Sequence, residues 1–434
     1  MDKLPMSAAR SVAILLLLVL PCASALGQRS RQDARSAAAN SQNTQPTASV
    51  SMGDWSQLAQ FVHAPRMQNF FEDFATSVAI DGDTIVATDS PYPGNPVGFI
   101  FTKSSGGWRS ELPNAALSLP AGVRGNFVNP AAISSNTVVI GVASGNGSPG
   151  QVYVYVKPAG GWTNMTPTAI LSPVSTDSSF GATVAISGDT IVVGEDDLNS
   201  NAGAACVFVK PAGGWTNMTP TAVLTASDGQ PDDYFGQSVS ISGNTIAVGA
   251  PQNVQSEGKA YVFVEPQSGW TNMTQTAELT ASDAQTGFFV GTSISVNGDT
   301  IAVGTPDPNS FAGEAYVFVK PPSGWVNVTQ TARLVAADRE HFDFFGSSIR
   351  AGNGIVVVGA YGRTRGPNFD AGGAYIFQQP TGGWKDMAGN VVLTSSGARR
   401  STGFGSSVGL SGPVIVVGAP FVYNDGVAYV FERP

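Results

Sequence analysis

Charged residues and histidines are scarce in this chain of 434 residues. Only 12% of the residues are charged, against about 25% in an ordinary soluble domain. The net charge is −9 and the chain carries no stripe of lysine and arginine, which argues against nucleic acid as a partner. The two histidines, His63 and His341, fall in different loops, so the sequence offers little material for histidine-based acid–base catalysis.

Catalytic motifs are scarce as well. The sequence has no zinc-ligand spacing, Gly-rich phosphate loop or nucleophile elbow. Carboxylates for glycoside cleavage would have to converge on one bond from separate elements. The acidic residues that could be considered are sequence neighbours, in pairs that we assign to separate blades of the repeat structure described below: Glu72-Asp73, Asp196-Asp197 and Asp232-Asp233. We favour solvated loops or Asx-turns for them, and we predict no catalytic residue, no cofactor and no metal.

Long apolar runs are confined to the N-terminus, where SVAILLLLVLP occupies residues 11–21. Lys3 and Arg10 precede this run and Ala23-Ser24-Ala25 follows it, a pattern typical of a signal peptide cleaved after Ala25. The run is too short to span a bilayer, and no later stretch is long enough. We therefore predict export, to the extracellular space or the cell surface, without a membrane span.

The chain has only two cysteines, Cys22 and Cys206. A lipid anchor on Cys22 is an alternative to simple cleavage, although Pro21 fits a lipidation site poorly. Cleavage after Ala25 would leave Cys206 without an intramolecular partner. Its sequence context, AACVFV, matches KAYVFV around Tyr261, so we predict a small buried strand residue. Residues 26–50 are rich in Ser, Ala, Gln and Asn and predict a disordered linker.

Glycine and proline are abundant, with 51 and 28 residues, and they recur in a repeat that fills residues 51–434. Its clearest copy reads FGQSVSISGNTIAVGAP, then a variable loop, then GKAYVFVEPQSGWTNMTQTAELTAS. The units begin at seven aromatic or apolar residues, spaced 53 to 59 positions apart: Phe74, Phe127, Phe180, Phe235, Val290, Phe345 and Phe404. No segment shows the 3.6-residue period of a helix.

Each unit predicts four antiparallel strands, of the type QSVSIS, TIAVGA, AYVFV and W-x-x-x-x-x-x-A-x-L. Gly beside Asp or Asn between the first two strands suits a tight hairpin with positive φ. The segment GDWSQLAQFV, at residues 53–62, resembles a fourth strand without its first three, and the C-terminal unit stops after its third. Closing a ring with that N-terminal strand removes exposed sheet edges. The sequence therefore predicts an all-β fold, a seven-bladed β-propeller.

These units resemble the FG-GAP repeat family, which includes the head domains of integrin α subunits. The FG dipeptide stands at Phe180-Gly181, Phe235-Gly236, Phe345-Gly346 and Phe404-Gly405, and the GAP tripeptide at Gly249-Ala250-Pro251 and Gly418-Ala419-Pro420. The resemblance is closer to the secreted bacterial branch, with its SGDT turns, than to integrins. It implies a non-enzymatic extracellular binding or adhesion module for a protein or glycan, without naming the ligand. A secreted carbohydrate-active lyase or glycosidase remains the alternative.

The calcium loop D-x-D-x-D-G, frequent in integrin-like repeats, has no counterpart here. Its place holds SGDT, SGNT or NGDT, and only Asp81-Gly82-Asp83 offers two acidic residues. Calcium needs six or more oxygens from a longer loop, so we interpret Asp and Asn as turn formers. Asn-x-Thr sequons recur before the fourth strand, as candidate glycan sites in a eukaryotic secretory pathway only: Asn164, Asn217, Asn272 and Asn327.

Loop variation indicates which face of the ring would bind a ligand. The hairpin turns are short and repetitive, whereas the loops between strands two and three and those joining blades vary in length and chemistry, as recognition loops do. In and around the sixth unit these loops carry five arginines, a histidine and two aromatic residues. We predict that they bind an acidic or glycan ligand: Arg339, His341, Tyr361, Arg363, Arg365, Phe369, Arg399 and Arg400. The alternative is that the arginines balance nearby acidic side chains, Asp338, Glu340, Asp343 and Asp370.

Overall fold

Seven antiparallel sheets surround a central channel, which confirms the predicted seven-bladed β-propeller. The computed structural model describes residues 51–52, 55–62, 73–89, 97–120, 123, 130–143, 150–175, 179–253, 257–306, 312–364, 371–389, 391–395, 402–422 and 426–433. They belong to one compact unit, Ser51–Pro434. In these ranges, no helix has the length and apolar character needed to cross a membrane.

Each blade has four strands, numbered here from the channel outwards. Blade one contains Val78–Asp81, Thr84–Asp89, Val97–Thr102 and Ala115–Ser118. Blade two contains Ala131–Ser134, Thr137–Val142, Gln151–Val156 and Ala169–Leu171. Blade three contains Val184–Ser187, Thr190–Glu195, Ala204–Val209 and Ala222–Thr225. Blade four contains Ser238–Ser242, Thr245–Ala250, Lys259–Val264 and Ala277–Thr280.

The later blades follow the same plan. Blade five contains Ser293–Asn297, Thr300–Thr305, Glu314–Val319 and Ala332–Ala336. Blade six contains Phe345–Gly352, Ile355–Ala360, Gly373–Gln378 and Val392–Leu393. Blade seven contains Ser407–Ser411, Val414–Ala419, Val427–Glu432 and, as its fourth strand, Trp55–Phe61. The other described elements are two- and three-residue strands and one helical turn: Ser51–Met52, Met273–Thr274, Val328–Thr329, Met387–Gly389 and Leu198–Asn201.

The ring closes as the sequence predicted, with the N-terminal strand completing the last blade. Trp55–Phe61 pairs antiparallel with Val427–Glu432, and Phe61 lies opposite Ala428. The pairing contains an irregularity at Leu58, between Gln57 and Ala59. This strand also starts directly at its tryptophan, Trp55. In the other blades, the tryptophan precedes the fourth strand by several residues.

Hydrophobic clusters fill the spaces between neighbouring blades, because each strand presents its apolar residues to the blades on either side. In one cluster, Leu224 and Val207 of blade three pack with Val248, Tyr261 and Trp270 of blade four. The seven tryptophans fall one per blade, and all are buried: Trp55, Trp108, Trp162, Trp215, Trp270, Trp325 and Trp384. Burial of large aromatic side chains at each junction supplies much of the favourable free energy of packing.

The FG and GAP motifs contact each other across each such junction. Gly291, which replaces the glycine of FG in a unit that begins with Val290, has a φ of 100°. A Cβ on Gly249, the glycine of GAP in the preceding blade, would lie 2.1 Å from the carbonyl oxygen of Gly291. The hydroxyl of Ser238 donates a hydrogen bond to that same oxygen at 2.7 Å. The two motifs therefore recur because neighbouring backbones approach too closely to admit a side chain.

Except in blade seven, the segment that follows the tryptophan differs from the prediction. It was interpreted as the start of the fourth strand, but in blade four the residues Met273–Thr274 pair in parallel with Leu224 and Thr225 of blade three. The sequon asparagine just before them, Asn272, accepts a hydrogen bond from the Val223 amide at 2.8 Å.

The same contact recurs around the ring. Asn164, Asn217 and Asn327 accept hydrogen bonds of 2.9 Å from Ala116, Ile170 and Glu278, respectively. Ser110 accepts one of 3.0 Å from Gln60 in the closing strand. Coupling between blades is thus a structural reason for the repeated asparagine.

The hairpin turns form a second set of contacts, around the mouth of the channel. The glycine of one turn donates its N–H to the serine hydroxyl of the preceding blade's turn, as in Gly243 to Ser187 at 3.1 Å. Gly82 donates in this way to Ser411 at 3.0 Å, which joins blade one to blade seven. Each turn between strands one and two has two residues, as the pairings of Ser187 with Thr190 and Ser242 with Thr245 show.

Candidate functional site

The loops between strands two and three and the loops between blades lie on one face of the ring, since antiparallel strands alternate in direction. We call this the variable face. Of the predicted site residues, Arg339, His341, Tyr361 and Arg363 are described and belong to it. The others lie outside the described residues: Arg365, Phe369, Arg399 and Arg400.

A recurring arrangement of tyrosine, aspartate and a cation accounts for the position of Arg363. In each of three blades, the tyrosine of the third strand donates its hydroxyl to an aspartate in the blade-joining loop, and a basic side chain lies beside the aspartate's second oxygen. The sets are Tyr261, Asp228 and Lys259; Tyr316, Asp283 and Arg333; and Tyr375, Asp338 and Arg363.

In blade six this arrangement is tight. The Tyr375 hydroxyl donates to Asp338 Oδ1 at 2.5 Å, and Arg363 Nη2 donates to Asp338 Oδ2 at 2.9 Å. Arg363 Nε also donates to the Tyr375 hydroxyl at 2.9 Å. The pKa of Tyr375 is raised mainly by burial and secondarily by the hydrogen bond to Asp338. Only 16% of the Arg363 side chain is exposed, so its guanidinium holds the loops together.

Arg339 also forms an ion pair within the fold. Its Nη1 lies 3.0 Å from Oε1 of Glu314, a carboxylate that is 7% exposed and also binds Arg333. The hydrogen bonds that Arg333 donates to Glu314 raise the pKa of Arg333. The two described arginines of the predicted site are therefore paired with acidic side chains, as in the charge-balancing alternative. Ligand binding by these residues stays a prediction.

Among the described residues near these arginines, Phe342 has the most exposed aromatic side chain, and the sequence analysis did not select it. It is 58% exposed, and its ring centroid lies 6.5 Å from that of His341. Tyr361, by contrast, stacks on the buried Phe344 at 4.8 Å with the rings 10° from parallel. Phe342 and His341 thus project from the variable face, whereas Tyr361 is packed against it.

The backbone at Phe342 is held in an unfavourable conformation. Phe342 has a φ of 68°, and the corresponding positions in the two preceding blade-joining loops are Asp232, with 67°, and Gly287, with 88°. Glycine and aspartate tolerate this region, but a bulky aromatic residue is an outlier there. The turn is fixed by the next residue, since Asp343 Oδ2 accepts a hydrogen bond from Glu340 N at 2.8 Å, as Asp233 does from Gln230.

A second exposed aromatic residue, Phe421, lies on the variable face of blade seven. It is 42% exposed and follows the second strand, with its N–H donating to the Thr402 carbonyl at 3.1 Å. Alignment of the repeat units could have revealed both residues, because each is an aromatic side chain at a loop position that other units fill differently. Large exposed aromatic side chains are typical of binding surfaces.

The acidic pairs considered in the sequence hold loops in place. The Ser179 hydroxyl donates to Asp196, and the Ser179 amide donates to Asp197 Oδ1 at 2.6 Å. Burial raises the pKa of Asp196 to about 6.

Cys206 is a buried strand residue, as predicted, and its thiol donates to Glu195 at 3.3 Å.

The third pair behaves similarly. Asp233 accepts a hydrogen bond from the Asn253 amide group at 2.7 Å, and Asp232 accepts one from Asn201 at 2.7 Å. Within the described ranges, no group of three or more His, Cys, Asp and Glu side chains is arranged to hold a metal ion. His63 and Glu72 lie outside those ranges.

Comparison with known families agrees with this geometry. The FG-GAP repeat matches residues 170–208, 218–263, 273–318, 328–377 and 389–431, which together make up more than half of the chain. Each matched segment runs from around the fourth strand of one blade to the third strand of the next. No curated protein matches the sequence. The chain belongs to the FG-GAP repeat family.

Proposed function

We propose that this chain is an exported, non-enzymatic binding module that recognises an extracellular protein or glycan through its variable face, in an adhesion-type role. The FG-GAP propeller supports a binding role in general. Export rests on the N-terminal pattern around residues 11–25. The loops of the variable face supply the differences between blades that recognition requires.

The observation that carries the proposal is the exposed, strained Phe342. A non-glycine residue in the left-handed region costs about 1 kcal/mol or more, and the corresponding loops show that aspartate or glycine suits the turn better. The aromatic ring is 58% exposed, so much of its surface is available to a partner. Contact with a partner would account for an exposed aromatic side chain at this position, and His341 and the ion-paired Arg339 would border that contact.

The test compares two exposed apolar residues that are both changed to aspartate. Binding partners are first captured from the native extracellular fraction and on a glycan array, using the wild-type chain. Phe342→Asp should then weaken binding at least about 30-fold, as expected for loss of an aromatic hot spot of about 2 kcal/mol, with an unchanged or higher Tm. Val326→Asp is the control, since Val326 is 45% exposed beside Trp325, away from the variable face.

Equal binding by Phe342→Asp and the wild type would remove Phe342 from the site, and Phe421→Asp would then show whether another part of the variable face is used. A turnover assay on any captured glycan separates the binding module from the alternative. Cleavage of that glycan would identify a carbohydrate-active enzyme and contradict the proposal.

A further inference from the structure

Among the described residues that line the central channel, one has a basic side chain, Arg350. The channel encloses a cavity of about 360 Å³, lined by the first strands of all seven blades. At the position equivalent to Arg350, the other blades carry alanine, serine or glycine: Ala79, Ala132, Ala185, Ser240, Ser295 and Gly409. Arg350 is therefore the one large side chain of this layer, and its small neighbours leave room around it.

Within the described residues, the side chain of Arg350 has no hydrogen-bond or ion-pair partner. The other arginines discussed above are paired with carboxylates, namely Arg333 and Arg339 with Glu314 and Arg363 with Asp338. Burial alone lowers the pKa of Arg350. Arg350 is only partly buried, so its guanidinium is accessible from the cavity, and a guanidinium that is partly removed from water is stabilised by an anion beside it.

The carboxylate in the cavity wall does not compensate this charge. Asp81 lies at the end of its strand, in the layer of the hairpin turns, and its Oδ2 accepts a hydrogen bond from Ser135 N at 2.5 Å. No contact joins Asp81 to Arg350 in the described structure. Within the part of the chain that the structure describes, the guanidinium of Arg350 is therefore available to an anion in the channel.

A further donor lies in the neighbouring blade. Ser295 occupies the position equivalent to Arg350 in blade five, and its hydroxyl accepts a hydrogen bond from Ala351 N at 3.0 Å. A hydroxyl that accepts in this way still has its own proton to donate. Guanidinium and hydroxyl donors side by side suit the oxygen atoms of a carboxylate or phosphoryl group.

We propose that the central channel is a binding site for a small oxyanion, held by Arg350. The volume is at the lower end of the range of about 300–1,000 Å³ for small-molecule sites, which suits an inorganic oxyanion or a small carboxylate with accompanying water. The site is separate from the variable face and does not depend on the proposed function.

The experiment measures the Tm of the purified chain at constant ionic strength, while chloride is replaced by phosphate, sulfate or acetate. A ligand that binds the folded state raises the Tm in proportion to the logarithm of its concentration above Kd. A rise in Tm with phosphate or sulfate but not with acetate would indicate a site for a phosphoryl-type group, and the opposite result would indicate a site for a carboxylate. We expect at least one of the three oxyanions to raise the Tm of the wild type.

Three variants make the test specific to Arg350. Arg350→Ser copies the residue found in blades four and five, and it should abolish the oxyanion-dependent rise while leaving the Tm in chloride unchanged or higher. Arg350→Lys keeps the charge and should retain a weaker rise. Lys385→Ser removes an exposed cation beside Trp384 and should respond like the wild type.

Two results would overturn the site. One is a wild-type Tm that none of the three oxyanions raises. The other is an equal rise in Arg350→Ser and the wild type, which would mean that the anion acts elsewhere. A large loss of Tm in chloride for Arg350→Ser would contradict the premise that the guanidinium has no partner in the protein.

Discussion

Phe61 in the closing strand allows the sharpest test of how the ring is held together. Its side chain is fully buried, with its ring stacked on Phe101 at 4.3 Å and in edge contact with Trp108 at 6.0 Å. Both partners belong to blade one, so a residue of the N-terminal strand joins blade seven to blade one. We expect Phe61→Ala to open this junction.

The magnitude follows from the cost of removing a buried aromatic ring. Phe→Ala changes in protein cores cost about 3–5 kcal/mol, against a total stability of about 5–15 kcal/mol for a typical domain. Leu224 is the matched position in blade three, since it pairs with Ala205 as Phe61 pairs with Ala428. Leu224→Ala should cost about 2–5 kcal/mol.

The two variants should differ in whether the fourth strand separates from the third strand of its blade. In blade three, residues 210–221 join strand three to strand four along the chain, so Leu224→Ala leaves the strand tethered. In blade seven the two strands come from opposite ends of the chain, so Phe61→Ala should also let Trp55–Phe61 detach and expose the edge of Val427–Glu432. Hydrogen exchange should then show faster amide exchange in Val427–Glu432 for Phe61→Ala alone.

Urea denaturation and hydrogen exchange are the measurements, with Ser56→Ala as a control on the same strand. Ser56 is only partly buried, so its change should alter stability by less than about 0.5 kcal/mol. If Phe61→Ala and Ser56→Ala have the same free energy of unfolding, the N-terminal strand does not hold the ring closed. If protection in Val427–Glu432 is unchanged, the strand does not detach.

Four further predictions concern single positions. Gly249→Ala should lower the free energy of unfolding, measured with urea, by about 3 kcal/mol because its Cβ would meet a carbonyl oxygen of the next blade. Gly243→Ala has open space around the new Cβ but a φ of 57°, and it should cost only about 1 kcal/mol. The reverse order of these two costs would contradict the close-approach argument. Asn217→Ala should cost about 1 kcal/mol through its inter-blade hydrogen bond, and no loss would leave the repeated asparagine unexplained. The pKa of Asp196 is raised from 3.8 to about 6, so its protonated form contributes to stability fully below pH 4, and this contribution is lost as the pH rises through 6. In the variant Asp196→Asn, the free energy of unfolding should therefore depend less on pH over this range. Chelation of calcium should leave the Tm unchanged, because two-residue turns cannot supply six oxygens; a large drop would refute this.

The fold was predictable from the sequence because local patterns and the repeat agree with each other. Alternating strands, Gly-containing turns and one tryptophan per unit all recur at the same spacing, and the incomplete first and last units indicate closure. The crossing segments, such as Met273–Thr274, were missed because a short polar stretch has no period of its own. Its pairing with the preceding blade is decided by tertiary contact.

The candidate site was less predictable, since a sequence shows where charges are and not how they are paired. Arg339 and Arg363 were visible as cations, but their pairing with Glu314 and Asp338 depends on loops from neighbouring blades meeting. Phe342 was missed because an isolated aromatic residue in a loop has no periodicity, and only comparison of the same loop position in other units reveals it. Its significance depends on the φ it shares with Asp232 and Gly287.

The unit of the sequence repeat and the unit of the structure are offset by one strand, and this offset explains the incomplete ends of the ring. The family matches run from one blade's fourth strand to the next blade's third strand, as in 218–263, so each sequence repeat bridges two blades. The strand Trp55–Phe61 is then the fourth strand that begins such a repeat, and Val427–Glu432 is the third strand that ends one. The GAP glycine of one blade contacts the FG segment of the next blade, so each sequence repeat supplies its FG segment to one junction and its GAP glycine to the following junction. The junction between blade seven and blade one needs segments from the first and the last of these repeats. For Gly418, the carbonyl partner in that junction is Ala75 of blade one, at 2.2 Å from a Cβ placed on the glycine. Closure therefore uses the same backbone contact as the other junctions, joined in space rather than along the chain.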